Sequence, residues 1–405
     1  EKIKNFMELN PSQPNPDKSE IECEVKFGTR GIKAISREDF HNVVNKLMSS
    51  GFVTSNTSGI DTLKITCEHR DANTGKVKLS NIRTEINSLH AIQSYCKTNN
   101  MANITDRMIQ FNQKQTAKNA KGDVIYPFNN DEFNFRITVQ SEKTLPKTNN
   151  MIKTLLTDWS NLKKNFRLIN RVSFTHEDYP VRIDMSISRT NKQEQSRSKL
   201  EYSIEAAGVF DNPEHYEIEI EVDNSKIGSG TQWTKDNYLE FSTMMRIVIK
   251  LILSGIQQTN YPISYTEQDS ILEKYIKLVT KQELSESKRI TPKDFIGPSS
   301  TTLQMRNISK INDDSLIPNI RNNYTVTEKA DGLRKLLFIA EDGRMYLIDT
   351  NMRIQFTGAI TKNDKIYNTL IDGEHILHNK KGNFINLFAG FDIYFIDRKD
   401  IRQNK

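Results

Sequence analysis

The sequence has few cysteines and no long apolar run. Its three cysteines, Cys23, Cys67 and Cys96, have the spacing of neither a disulfide framework nor a zinc site. The seven histidines are scattered, which also disfavours a zinc centre. No segment approaches the roughly 18 uncharged apolar residues of a membrane span, and the first residues lack the apolar core of a signal peptide. We therefore expect reduced structural thiols, no membrane contact and a cytoplasmic location.

Length and charge set wider bounds. The 405 residues suffice for two or three domains, and 36% hydrophobic residues can form a buried core. Lysine and arginine (57) exceed aspartate and glutamate (51), which gives a net charge of +6. This moderate excess suits a polyanionic partner without identifying one.

Residue patterns divide the sequence into a strand-rich part, a helical part, a polar stretch and a second strand-rich part. Ser36 and Asp39 form the sequence pattern of a capping box, which predicts the start of a helix. Further helices are predicted at 152–159, 236–257 and 270–281. The first set of predicted strands is 20–27, 61–68, 77–87, 132–141, 166–175, 181–188, 200–206 and 215–222. The second set is 324–328, 335–340, 344–349, 368–377 and 384–396.

Two predicted strands place several carboxylates on one face. In 20–27 the residues Glu20, Glu22, Glu24 and Lys26 alternate with apolar ones, and in 216–223 the alternating set is Glu217, Glu219 and Glu221. A solvent-facing strand is the simple explanation for one such pattern. Two together are unusual, because two carboxylates about 4 Å apart at a dielectric constant of roughly 20 repel by about 4 kcal/mol. A divalent cation removes that cost, and an oxygen-only ligand set favours Mg²⁺ or Mn²⁺.

Other predicted strands carry positive charge in the same alternating pattern. The residues concerned are Arg83, Arg136, Arg167, Arg171 and Arg182. A closed antiparallel barrel with this inward lining would hold a metal at one wall and a polyphosphate at the other.

The Glu-x-Glu-x-Lys strand and the Glu-x-Glu-x-Glu strand resemble the signature strands of the triphosphate tunnel metalloenzymes, over about residues 18 to 232. The resemblance implies metal ligands at Glu22, Glu24 and Glu221, with Glu217 and Glu219 supporting them or orienting water. It implies phosphate contacts at Lys26, Arg83, Arg136, Arg167, Arg171 and Arg182. Glu20 is in phase but lies outside the motif, so we place it at the rim.

A second motif lies at Lys329-Ala-Asp331-Gly332-Leu-Arg334. It resembles motif I of the covalent nucleotidyltransferases, which include mRNA capping guanylyltransferases and nucleic-acid ligases. In that family the lysine becomes nucleotidylated, which requires a neutral amine. For an ordinary lysine, deprotonation at pH 7 costs about 4.6 kcal/mol, and a nearby cation, a metal or desolvation lowers that cost.

Two later segments resemble further motifs of the same family. Residues 370–376, with Asp372, Gly373 and Glu374, resemble motif III, and residues 388–395, centred on Phe391 and Asp392, resemble motif IIIa. The resemblance implies nucleotide contacts at Asp331, Gly332, Arg334, Glu374 and Phe391. Residues 296–308 resemble the entry segment of viral capping enzymes. In the family an acidic metal-binding strand and a lysine pair follow motif IIIa, so we expect residues 1–405 not to complete guanylyl transfer alone.

Together these patterns predict an α+β chain with an antiparallel β-barrel, flanking helices and part of a nucleotidyltransferase domain. The expected boundaries are 1–284 for the barrel domain, 285–322 for a linker or entry segment, and 323–405 for the second domain. The order resembles viral-type mRNA capping enzymes of large cytoplasmic DNA viruses. The expected partners are 5′-triphosphate RNA, GTP and a methyltransferase domain or subunit, and the expected location, if the protein is viral, is a viral factory or virion. Two alternatives remain open: a nucleic-acid ligase, which shares Lys329 and Glu374 but has no use for an acidic tunnel, and a non-catalytic basic RNA-binding module.

Overall fold

The computed structural model divides the chain into two compact units, Glu1–Gln258 and Thr259–Lys405. It describes residues 2–9, 19–28, 31, 33–70, 75–102, 104–195, 197–228, 230–282, 289–298, 301–310, 317–322, 324, 326 and 329–403. Within these ranges, none of the helices combines the length and apolarity needed to cross a bilayer.

The first unit combines helices with many antiparallel strands. Its helices are α1 (Lys2–Leu9), α2 (Arg37–Ser49), α3 (Leu89–Thr98), α4 (Asn150–Thr157) and α5 (Tyr238–Gln257). Its strands are β1 (Ser19–Phe27), β2 (Ile60–Arg70), β3 (Val77–Asn87), β4 (Ile109–Thr116), β5 (Phe128–Asn130), β6 (Phe135–Thr144), β7 (Lys164–Thr175), β8 (Val181–Thr190), β9 (Gln193–Glu194), β10 (Arg197–Ser198) and β11 (His215–Val222).

The strands of the first unit close into a barrel. The pairing order is β1-β11-β8-β7-β2-β3-β4-β6, and β6 pairs with β1 to complete the ring. Every pairing is antiparallel, and the three-residue β5 lies beside β6. The predicted antiparallel barrel with flanking helices is therefore confirmed.

Two details of the predicted strand pattern differ from the structure. Residues 202–208 form bends and turns instead of the predicted strand 200–206, which is wrong. Strand β4 and helix α3 were not predicted. β4 has the sequence IQFNQKQT, in which apolar residues are too few to show alternation, and its position in the barrel comes from pairing with β3 and β6.

Apolar residues on the outer barrel face pack beneath helices. On one side α2 and α5 cover β1, β8 and β11, with Val43 and Ile252 fully buried. On another side α3 and α4 cover β2, β3 and β4. The predicted capping box of α2 is present, because Ser36 Oγ accepts from the Asp39 amide and Asp39 Oδ2 accepts from the Ser36 amide, both at 3.1 Å. The outer face thus supplies the core, and the inner face is left for polar side chains.

The second unit contains one antiparallel sheet and a helix. Helix α6 spans Tyr265–Thr280, and the strands are β12 (Leu333–Ile339), β13 (Arg344–Asp349), β14 (Ile354–Ile360), β15 (Thr369–His378), β16 (Phe384–Ile396) and β17 (Lys399–Asp400). The sheet order is β14-β13-β12-β15-β16-β17. Ile271 and Tyr275 of α6 share a core with Leu336, Phe338 and other sheet residues.

The division between the units differs from the boundary at 284 that the sequence indicated. Helix α6 lies in the second unit because its apolar face packs on that sheet. Part of the expected 285–322 linker packs there as well: the Tyr275 hydroxyl donates to the Asp294 carbonyl at 2.9 Å and accepts from the Ile296 amide at 3.0 Å. Residues 283–288, 299–300 and 311–316, and most of the predicted strand 324–328, lie outside the described residues.

Candidate functional site

The two acidic strands of the sequence are neighbours in the barrel. β1 pairs with β11 so that Glu24 lies opposite Glu221 and Lys26 lies opposite Glu219. Alternation directs Cys23, Val25, Ile218 and Ile220 into the outer core, where all four are fully buried. The carboxylates therefore line one stretch of the inner wall.

A lysine from another strand lies among these carboxylates. Lys114 Nζ of β4 lies 2.6 Å from Glu22 Oε2, 3.2 Å from Glu24 Oε1 and 3.0 Å from Glu142 Oε2. Burial raises the pKa of Glu22 to about 7, although Lys114 opposes this. Burial also disfavours ionised Glu24, but Lys26 and Lys114 outweigh it and lower the pKa of Glu24 to about 2.

The metal and phosphate residues were expected on opposite walls, but the structure places them side by side, because β8 pairs directly with β11. This part of the inner wall is organised around Asp184 of β8, whose side chain is fully buried. Asp184 accepts from Arg171 Nη1 at 2.8 Å, Arg182 Nε at 2.9 Å and the Ser173 hydroxyl at 2.6 Å. Arg182 also reaches Glu221 at 2.5 Å. One carboxylate thus fixes two arginines from two strands, and Arg182 connects this wall to the acidic strands.

The remaining acidic residues of β11, Glu217 and Glu219, form ion pairs with basic side chains. Arg167 and the Ser188 hydroxyl both donate to the Glu217 carboxylate. Glu219 lies 3.2 Å from Lys26 Nζ and 3.5 Å from Arg171 Nη2. Burial alone would lower the pKa of Lys26, but Glu219 and Glu24 raise it. Glu217 and Glu219 therefore position basic side chains, whatever role they have toward water.

Arg83 and Arg136 occupy different surroundings. Arg83 Nε lies 2.6 Å from Glu85 Oε1, and Lys64 Nζ lies 3.3 Å from the same oxygen. Burial lowers the pKa of Lys64 to about 8, although Glu85 opposes this. Arg136 shares the inner face with Lys26, its register partner. Its Nε is buried without a hydrogen-bond partner, and within the described part of the chain no ion pair engages its guanidinium.

A cavity of about 440 Å³ is bordered by Lys26, Arg167, Glu214, Glu217 and Glu219. This volume lies within the range of small-ligand sites in proteins.

The residue types at β1 and β11 fit a hard divalent cation. Glu22, Glu24 and Glu221 offer only oxygen ligands, and Glu24 and Glu221 are register partners. Burial raises the pKa of Glu221 and of Glu22, which shows the cost of ionised carboxylates there. Ion pairs with lysine and arginine hold these side chains, and in the described ranges no three acidic, histidine or cysteine side chains already converge as a metal site. The oxygen ligands and the strand register therefore fit a divalent metal ion, but the three glutamate side chains are positioned by their ion pairs with lysine and arginine.

The two acidic strands predicted from the sequence pair with each other in the barrel, but several residues of the inner wall were not predicted. Each residue expected to bind metal or phosphate lies on the inner wall of the barrel. Lys64, Lys114 and Glu142 were missed. Glu142 continues the alternation of Arg136 along β6 and could have been found. Lys114 could not, because β4 itself was not recognised.

In the second unit the two nucleotidyltransferase-like motifs meet through the pairing of β12 with β15. Arg334 lies opposite Glu374, and Gly332 donates its amide to Glu374 Oε1 at 3.2 Å. Arg334 donates to both oxygens of buried Asp372, at 3.1 and 2.6 Å. Asp372 also accepts from the Tyr394 hydroxyl at 2.5 Å. The resemblance implies a nucleotide contact for Arg334, and Asp372 fixes the orientation of its guanidinium.

Gly332 is required by close strand approach. A Cβ atom at this position would lie 2.6 Å from the His375 carbonyl oxygen and 2.9 Å from Glu374 Cγ. Such distances are too short for any side chain, so glycine permits the contact between the motifs.

The other expected nucleotide-site residues are accessible. Lys329 and Asp331 are exposed. Phe391 of β16 is 61% exposed and lies where the register between β15 and β16 shifts. The structure therefore places the motif-I lysine and the aromatic residue of motif IIIa where a ligand can reach them.

A neighbouring lysine is buried. Lys335 of β12 is 4% exposed and its Nζ donates to Gln355 Oε1. Burial lowers its pKa to about 8, with partial opposition from Asp349. Burial also lowers the pKa of His375, with Lys335 contributing in the same direction.

Comparisons with known proteins point to one family. Residues 263–405 match the family model of the mRNA capping enzyme catalytic domain. A probable mRNA-capping enzyme of Acanthamoeba polyphaga mimivirus is 28% identical over 190 residues, which is 47% of this chain and 13% of that relative. The chain thus covers a small part of the curated relative's length.

Solved structures give a weaker likeness. The S. pombe Pct1 RNA triphosphatase aligns over 62% of this chain and 88% of its own, with 13% identity and a TM-score of 0.32. The same protein in complex with the Spt5 CTD aligns over 62% and 90%, with 12% identity and a TM-score of 0.33. The barrel is established by its own strand pairing. The sequence matches agree with the resemblance stated above: residues 263–405 are similar to the catalytic domain of mRNA capping enzymes, and 190 residues are similar to a probable mRNA-capping enzyme of a large DNA virus.

Proposed function

We propose that the barrel removes the γ-phosphate from 5′-triphosphate RNA with Mg²⁺ or Mn²⁺, and that the second unit attaches GMP from GTP through Lys329. The observation that carries the first activity is the pairing of β1 with β11, because it groups carboxylates on the inner wall of a closed barrel, and the next strand, β8, places arginine directly beside them. The match of residues 263–405 to the capping enzyme catalytic domain supports the second.

The acidic and the basic side chains of the inner barrel wall have different proposed roles. Glu22, Glu24 and Glu221 would hold the metal, which when bound neutralises charge on the phosphoryl oxygens. Arg136 is free to bind a phosphate because no carboxylate engages it in the described part of the chain. Arg171 and Arg182 are held in place by Asp184 and present fork-like donors that suit phosphate oxygens. In the reaction, water adds to the γ-phosphorus, the bond to the bridging oxygen breaks, and phosphate and diphosphate-ended RNA leave.

The triphosphatase proposal is tested by phosphate release from 5′-triphosphate RNA in Mg²⁺ or Mn²⁺. Glu24→Ala and Glu221→Ala should each reduce the rate at least about 10²-fold, because metal-assisted stabilisation is worth several kcal/mol. Glu20→Ala is the matched control, since Glu20 is exposed on the same strand, and it should retain the rate. Activity that survives in the double variant Glu22→Ala/Glu221→Ala would refute the assignment.

The guanylyltransferase proposal is tested by covalent labelling of the full-length protein with α-labelled GTP. Lys329→Ala should abolish the lysyl-GMP adduct and leave phosphate release from RNA intact. Lys362→Ala, an exposed lysine of the same unit, is the control. An adduct in Lys329→Ala would mean that another lysine is the nucleophile.

The same assays separate the alternatives. A nucleic-acid ligase would form an adduct and join nicked strands without releasing γ-phosphate. A non-catalytic RNA-binding module would bind RNA without metal dependence. The buried acidic cluster favours the triphosphatase over both, because neither alternative gives the carboxylates a role that offsets the cost of burying them.

A further inference from the structure

Lys114 occupies the centre of the acidic cluster. Its ammonium group contacts Glu22 and Glu24 of β1 at 2.6 and 3.2 Å, and Glu142 of β6 at 3.0 Å. Its side chain is 22% exposed, and those of the three glutamates are 15, 7 and 15% exposed. The Lys114 ammonium group therefore lies among three carboxylates in a partly dehydrated wall, and Lys26 contacts the other oxygen of Glu24 at 2.9 Å.

Two of these partners are the carboxylates assigned to the metal. A metal ion such as Mg²⁺ binds carboxylate oxygens at about 2.1 Å. It would approach the carboxylates of Glu22 and Glu24 that Lys114 now contacts, and a dication beside an ammonium group is repelled strongly at low effective dielectric constant. Binding of the metal therefore disfavours the present position of Lys114.

Glu142 is a carboxylate partner that Lys114 can keep when it leaves Glu22 and Glu24. It is not among the expected metal ligands, and it also lies 3.7 Å from Arg83 Nη2 on the neighbouring wall. A lysine that leaves Glu22 and Glu24 can stay within the barrel near Glu142, beside a basic residue expected to contact phosphate.

We propose that Lys114 is the counter-ion of the acidic cluster in the metal-free protein, that metal binding displaces its ammonium group, and that the displaced group then contacts the anionic substrate. This inference rests on the proposed metal-dependent phosphatase function. It adds an order of events, with the metal first and the polyphosphate second, and gives Lys114 a positioning role in both.

The test measures Mn²⁺ affinity of the full chain by the electron paramagnetic resonance signal of free Mn²⁺. Lys114→Met and Lys114→Gln remove the competing charge and should lower the dissociation constant at least about tenfold. Lys114→Arg keeps the charge and should stay within about threefold of wild type. Lys118→Met is the matched control, since Lys118 is exposed beyond the end of β4, and it should not change the affinity.

A second measurement tests whether Lys114 contacts the anionic substrate once the metal is bound. With saturating Mn²⁺, a non-hydrolysable imidotriphosphate should bind Lys114→Met and Lys114→Gln at least about tenfold more weakly than wild type. Without metal, it should bind wild type only weakly, because Lys114 is engaged by carboxylates.

The outcomes distinguish this inference from the proposed function. If wild type binds Mn²⁺ and the neutral variants bind it equally or more weakly, Lys114 is only a structural ion-pair partner and the inference is wrong. If wild type binds no Mn²⁺, the proposed metal-dependent function falls and the inference falls with it. Two neutral variants are used so that a folding failure of the methionine variant, seen by circular dichroism, leaves the glutamine variant to decide.

Discussion

Lys335 provides a quantitative test of the packing in the second unit. The residue is 4% exposed, its Nζ is bonded to the neutral Gln355 side chain, and burial lowers its pKa from 10.5 to about 8. That difference corresponds to about 3 kcal/mol of free energy. The amine is charged at pH 7, so its burial destabilises the folded unit by about this amount relative to a neutral side chain.

The sign of the pH dependence follows from proton binding. Between pH 8 and 10.5 the unfolded chain keeps the Lys335 proton while the folded chain releases it, so the free energy of unfolding should rise with pH across this window. Lys335→Met has similar length and no charge. It should stabilise the second unit by up to about 3 kcal/mol at pH 7 and flatten the rise above pH 8.

The assay must report on the correct unit. Both tryptophans, Trp159 and Trp233, lie in the first unit, so their fluorescence is unsuitable. Pulse proteolysis across a urea series at pH 7 and 9.5, read by mass spectrometry of second-unit peptides, gives the required free energy. Lys362→Met, at an exposed position, should change nothing. A Lys335→Met protein that is less stable than wild type at pH 7, with an unchanged pH slope, would refute the reasoning.

Three further predictions concern the barrel and the motif pairing. Asp184→Asn should destabilise the first unit by about 3 kcal/mol, because it removes the fully buried carboxylate that Arg171 and Arg182 share and leaves them only Glu219 and Glu221. Urea unfolding followed by tryptophan fluorescence measures this, and a loss below about 1 kcal/mol would contradict it. Arg136→Ala should leave the free energy of unfolding of the first unit within about 0.5 kcal/mol of wild type, as measured by the same urea unfolding. It should weaken tripolyphosphate binding, and Arg136→Lys should restore only part of the affinity; isothermal titration calorimetry measures the affinity of both variants. Gly332→Ala should reduce lysyl-GMP formation more than Leu333→Ala does, because its Cβ would lie 2.6 Å from the His375 carbonyl oxygen. Equal labelling of these two variants would show that the strand contact is dispensable.

The sequence alone determined the barrel strands that alternate strongly. In β1 and β11 charged and apolar residues alternate without interruption, so the period fixes which side chains share a face. The paired faces are amphipathic, and a register slip by one residue would bury the carboxylates in the outer core. The residues of 329–334 and 372–374 were assigned differently, by their resemblance to motifs I and III of the covalent nucleotidyltransferases, and the pairing of their strands is a finding of the structure.

Tertiary structure decided what the local pattern could not encode. Lys114 lies on a strand with too few apolar residues to predict, and its three carboxylate partners are up to 92 residues away in sequence. Only barrel closure brings β4, β6 and β1 side by side. The assignment of α6 to the second unit also depended on packing, because its apolar face has the same helical period whichever core it covers. The ion-pair partner of each cation depends on register between distant strands, and that register is a property of the closed barrel.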